Sequence, residues 1–101
     1  MLVRLRRIAK RDLREATAWY REQNENVADR FTFEVSQTLK FLEQFPLTGA
    51  FVPSMADPAI RRLPVRGFPY SVIFVRLPDR VSVLAIAHHR RKPGYWKDRV
   101  R

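Results

Sequence analysis

The chain contains no cysteine. Disulfides and thiolate metal sites are therefore excluded, and nothing points to an oxidising compartment. Long apolar runs are missing as well. No stretch approaches the length needed to span a bilayer, and the N-terminus lacks the apolar core of a secretion signal, so the expected location is the cytoplasm. Acid is scarce: ten Asp and Glu face twenty Lys and Arg, a formal charge of +10. No internal repeat, low-complexity segment, helix-turn-helix, zinc pattern or RNA-binding motif stands out.

What is present bounds the answer. A length of 101 residues gives room for one domain, taken as residues 1–101. A hydrophobic fraction of 46% with 12% aromatics is enough for a single core and excludes a disordered tail. Arginine supplies most of the positive charge, and its planar fork of donors suits phosphates and carboxylates. A domain this basic attracts polyanions: nucleic acid, an anionic membrane or an acidic protein segment.

Residues 2–8 alternate partly and read as a short edge strand, with Leu2, Val3, Leu5 and Ile8 apolar. The period then changes. Ala9, Leu13, Ala16 and Tyr20 fall on one helical stripe, which Trp19 widens. Asn24, Glu25 and Asn26 break it, and Asn26 is the expected N-cap of a second helix. That helix carries Ala28, Phe31, Val35, Leu39, Leu42 and Phe45 at steps of three and four, until Pro46 stops it. Residues 46–58 read as a loop. Three strands follow, at 59–66, 70–77 and 81–89, joined by short turns that favour an antiparallel meander. The expected fold is α+β, ordered β-α-α-β-β-β, an antiparallel sheet with an N-terminal helical hairpin on one face. Its opposite face and the C-terminal tail are then the expected working surface. Glu15, Glu22, Glu25, Asp29, Glu34 and Glu43 concentrate acid on the helices, which leaves the sheet and tail basic.

The order of elements and a set of local phrases carry a resemblance. The phrases are Asp12–Leu13, Glu15–Ala16 and Trp19–Tyr20; Ala28 with Arg30–Phe31; Leu42 to Pro46, then Gly49; Ile60 to Leu63 leading into Gly67–Phe68–Pro69–Tyr70; and Val83 to His88 running into Arg90 to Trp96. The chain resembles the RelE/ParE superfamily of type II toxin–antitoxin toxins, most closely its ParE-like plasmid stabilisation branch. The resemblance implies a toxin masked by a cognate antitoxin, commonly through an antitoxin helix and strand, in a toxin–antitoxin hetero-oligomer. It implies one of two targets: DNA gyrase, inhibited by binding, or ribosome-bound mRNA, cut by an endoribonuclease. No membrane partner and no cofactor are implied.

The residues that bear on this choice are few. RNA cleavage by 2′-hydroxyl attack needs a base, an acid and cations on the phosphate. Under the nuclease reading His89, Arg90, Tyr95 and Arg62 are the catalytic candidates. Arg61, Arg66, His88, Arg91 and Trp96 are candidates for contact with target or antitoxin. The nuclease pattern of the resembled family has an arginine where this chain has Ser71, and alternating lysines where it has Arg62, Pro64 and Arg66. Arg90 matches the late-strand arginine, while Tyr95 stands one residue nearer to it than the nuclease tyrosine does. These departures favour the gyrase-binding reading. His88 and His89, as strand neighbours, point to opposite faces. No carboxylate cluster joins them, so no metal site is expected.

Overall fold

The computed structural model describes residues 1–52 and 57–90 together with Trp96 and Arg99. Its elements are β1 (Val3–Leu5), α1 (Arg7–Gln23), α2 (Glu25–Gln44), β2 (Ala50–Phe51), β3 (Ile60–Pro64), β4 (Tyr70–Arg76) and β5 (Val81–His88). The five strands form one sheet in the order β1-β5-β4-β3-β2. The α+β architecture and the helical hairpin on one face agree with the sequence pattern.

The sheet is finer-grained than that pattern. β3, β4 and β5 form the antiparallel meander, and the two-residue β2 extends it beside Arg61 and Arg62 of β3. β1 joins the other side in parallel, with Val3 opposite Val81 and Leu5 opposite Val83. The hairpin lies between β1 and the meander in sequence, and a crossover of that length is what a parallel pair requires. β1 is also shorter than the alternation of residues 2–8 suggested. The Arg6 backbone N–H donates to the Val83 carbonyl at 3.0 Å, and α1 begins at the next residue.

One residue makes the helical joint. Asn24 is extended, and its backbone N–H donates to the Tyr20 carbonyl to end α1. Its side-chain oxygen accepts from the N–H groups of Asn26 at 2.9 Å and Val27 at 3.3 Å. The N-cap is therefore Asn24 and not Asn26, because the cap must precede the first N–H groups that lack helical partners.

The hairpin lays Ala9, Ala16, Phe31, Val35 and Leu42 against Val72, Phe74, Val81, Val83 and Ile86. The alanines let α1 approach the sheet closely. Tyr20, Phe31, Phe68 and Tyr70 form an aromatic group with ring centroids 5.1 to 6.2 Å apart, in the tilted and edge-to-face arrangements that aromatic quadrupoles prefer.

The opposite face is not the open surface that two apolar strands and a free tail suggested. Ile60, Ile73, Val75, Leu84, Ala85 and Ala87 make a second buried cluster with Val52 and Trp96. Strands that are apolar on both faces need cover on both, and Trp96 supplies part of it.

Candidate functional site

A β-bulge decides which histidine faces what. Ile73 lies opposite Ala85 while Phe74 lies opposite Val83, so Leu84 is an extra residue with no partner on β4. Leu84 and Ala85 both belong to the outer cluster, and the alternation beyond them is inverted. Ile86 and His88 consequently turn toward the helices, and Ala87 and His89 turn outward.

His88 lies in a cleft of about 200 Å³ with Asp12, Glu15, Ala16 and Trp19 of α1 and with Tyr70 and Ile86 of the sheet. Its ring meets Tyr70 edge-on, centroids 4.9 Å apart. Its Nδ1 accepts from the Arg90 backbone N–H at 3.0 Å, which places the ring proton on Nε2. Burial, the nearby Arg90 and the neighbouring His89 hold its pKa below the ordinary imidazole value.

His89 stands on the other face. Its Nε2 and the Ser71 hydroxyl are 2.8 Å apart, and its backbone N–H donates to the Pro69 carbonyl. Ser71 is buried, so the hydroxyl is held between strand and ring. The position where the nuclease pattern needs a cation is thus filled by a serine whose hydrogen bond is already made. Arg62 lies on the same face, opposite Ile73 of β4, and is exposed.

The other candidates separate. Arg61 faces the helix side and braces the loop before it. Its guanidinium sits 3.9 Å from the Phe51 ring centroid, and its Nε donates to the Pro58 carbonyl at 2.8 Å. Arg66 is exposed after β3 and borders a groove with Glu34, Gln37, Thr38, Phe41, Leu63 and Pro64. Arg90 is exposed at the end of β5. Arg91 and Tyr95 lie outside the described residues. Trp96 does not offer a docking face here, since it is 3% exposed within the outer cluster. An indole on a row of small and apolar residues is better satisfied as cover than as an exposed anchor. Arg62 and His89 therefore share one face, whereas His88 and Arg61 belong to the other.

A different surface is more conspicuous. Phe33, Phe41 and Phe45 of α2 and its C-cap are 58%, 46% and 54% exposed. With Gln37 they fall at successive steps of four, a second stripe beside the buried one. The rings of Phe41 and Phe45 meet at a tilt of 41°, centroids 4.9 Å apart. Leu47 and Phe51 add exposed apolar surface nearby in the chain. Its spacing predicts Phe45 on the core stripe, but at the helix end it turns out to solvent. The spacing of Phe33 and Phe41 was visible in the sequence, and it marks them as off the core face. Trp19 is also exposed and does not join the core.

Among the described residues no cluster of three or more His, Asp or Glu is spaced to hold a metal ion, and no helix is long and apolar enough to cross a membrane.

Comparison with known proteins gives a family match and structural likenesses. A family model described as the ParE toxin of the type II toxin–antitoxin system parDE matches residues 3–93. Among solved structures, the chain is similar to one described as the chromosomal ParDE TA system from P. aeruginosa, at 25% identity and a TM-score of 0.74. The likeness covers 87% of this chain and 95% of that one. No curated protein sequence matches.

Proposed function

The chain belongs to the ParE toxin family of type II toxin–antitoxin systems, and on that premise we propose that it inhibits DNA gyrase by docking on it and is held inactive by a cognate antitoxin. The observation that carries the docking reading is the state of the outer sheet face. At its centre Trp96 is buried with Leu84, Ala85 and Ala87, and Ser71 occupies the place of a phosphate-binding arginine with its hydroxyl tied to His89. A nuclease needs preorganised cations around the attacked phosphate, and a serine cannot replace one. The exposed arginines 62, 66 and 90 suit an acidic docking surface through charge complementarity.

The antitoxin belongs on the exposed phenylalanine stripe of α2. Apolar rings at steps of four fit the helix-in-groove mode of recognition, and Arg66 stands beside Phe41 to receive acidic residues.

RNA cleavage is the second reading, favoured by His89 and Arg62 on one face. One experiment separates the two. Purified toxin is added in parallel to a gyrase supercoiling reaction and to a translating bacterial extract whose mRNA 5′ ends are mapped. The docking reading expects supercoiling to stop and the mRNA to stay intact. New mRNA ends at ribosomal A-site codons, with supercoiling unaffected, would transfer the assignment to the nuclease reading.

A further inference from the structure

β5 outruns its neighbour. β1 ends at Leu5 opposite Val83, while β5 continues to His88. Beyond Val83 the backbone groups on that side of β5 have no strand to pair with among the described residues, and an edge left this way needs other partners. Two side chains supply them. The Ile86 N–H donates to Asp12 Oδ2 at 3.1 Å. The carbonyl of Leu84, the extra residue of the bulge, accepts from Arg99 Nη1 at 3.2 Å. The two side chains also bind each other: Arg99 Nη1 donates to Asp12 Oδ2 at 2.6 Å and Nη2 to Oδ1 at 3.3 Å. They are nearly buried, with side chains 8% and 17% exposed. Arg6 adds a further tie, donating to the Arg99 carbonyl and to the Ser82 hydroxyl at 3.0 Å.

The same segment is anchored on the other face. Trp96, three residues before Arg99, is buried in the outer cluster, and the Arg99 N–H donates to the Trp96 carbonyl at 2.9 Å. The chain after β5 is thus pinned at two points, an indole on the outer face and a guanidinium at the β5 edge. The family match stops at residue 93, so Arg99 lies outside it.

We propose that Asp12 and Arg99 are positioning residues: they clasp the C-terminal segment to the open edge of β5, and action on the target requires that clasp to be closed. This rests on the toxin reading above. A C-terminal end that is loose in the free toxin would lose side-chain freedom on docking, and Trp96 and Arg99 are held in place beforehand. A charge-assisted, two-point pair is the device that prepays this cost.

Removing one partner alone strands a buried charge and risks unfolding. The informative variant is the neutral pair Asp12→Asn with Arg99→Met, in which the Asn oxygen still accepts from Ile86. Arg99→Lys is the conservative companion, keeping charge without the fork that reaches both Asp12 and Leu84. Three readouts are compared with wild type: growth inhibition on induction without antitoxin, thermal unfolding of the purified protein, and native-state trypsin cleavage after Arg91 and Lys97 followed by mass spectrometry. The expected result for the neutral pair is tail cleavage faster by about tenfold or more, from loss of charged hydrogen bonds, with growth inhibition weakened and the unfolding midpoint nearly unchanged. Arg99→Lys should fall between. Unchanged tail cleavage overturns the clasp. A freed tail with full toxicity, or a loss of toxicity that merely follows a fallen unfolding midpoint, overturns the positioning role. Wild-type protein that arrests neither growth nor gyrase fails the toxin reading instead, and the trypsin comparison alone then decides the clasp.

Discussion

His88 shows how one buried contact sets a pH response. Its Nδ1 accepts from the Arg90 N–H, so adding a proton there breaks a hydrogen bond as well as placing charge in a partly buried site. Asp12 and Glu15 of α1 share the cleft and favour the charged ring. Desolvation, Arg90 and His89 oppose it and prevail, since the pKa is lowered. The unfolded chain therefore takes up the proton first as pH falls. Stability from this group is complete above the ordinary value of 6.5, declines below it, and levels off beneath the lowered folded value. Asn at position 88 can accept the same backbone N–H without titrating. Chemical unfolding from about pH 8 to about pH 5 should show wild type losing stability relative to His88→Asn only on the acid side of that window; parallel curves would refute the assignment. That the two histidines diverge was legible from the period of a strand. Which one meets the helices was not, because the bulge at Leu84 reverses the alternation and only the pairing of Phe74 with Val83 reveals it.

The elements were legible in proportion to how far each is fixed by its own residues. β4 and β5 are runs of β-branched and aromatic side chains, and the helices carry clear apolar stripes, so both kinds could be located from pattern alone. β2 could not. It is two exposed residues, placed by what surrounds them: Gly49 adopts φ +102°, and a Cβ there would lie 2.9 Å from Phe74 Cζ and 3.1 Å from Arg61 Cβ. The parallel seat of β1 was likewise invisible, since three residues pair with β5 only once the hairpin has crossed the sheet. The helical joint is the sharpest local case. Two asparagines stand two residues apart, and the geometry selects Asn24. Asn24→Ala should cost about 1 kcal/mol in urea unfolding, whereas Asn26→Ala should change stability by no more than about 0.5 kcal/mol. Equal losses would mean that the cap bond contributes nothing particular.

At the scale of the molecule, a formal charge of +10 and an exposed phenylalanine stripe make different claims on a partner. Composition revealed the first and suggested an antitoxin attracted to a basic sheet. The stripe emerged only when the core face of α2 was fixed and Phe33 and Phe41 were left outside it. The two modes respond differently to salt. Raising ionic strength from about 0.1 M to about 1 M shortens the screening length from about 10 Å to about 3 Å, which weakens a charge-led contact and leaves apolar burial largely intact. Phe33→Ser with Phe41→Ser removes two rings that contribute about 2 kcal/mol each when covered, so antitoxin affinity should fall by about a hundredfold or more. Stability of the free toxin should change little, because both side chains already face water. Titration calorimetry with a candidate antitoxin, at low and high salt, tests both points. A steep salt dependence with affinity indifferent to the double substitution would move the antitoxin from α2 to the basic face. A salt-tolerant affinity lost with the two rings would place it on the stripe, leaving arginines 62 and 90 for the target.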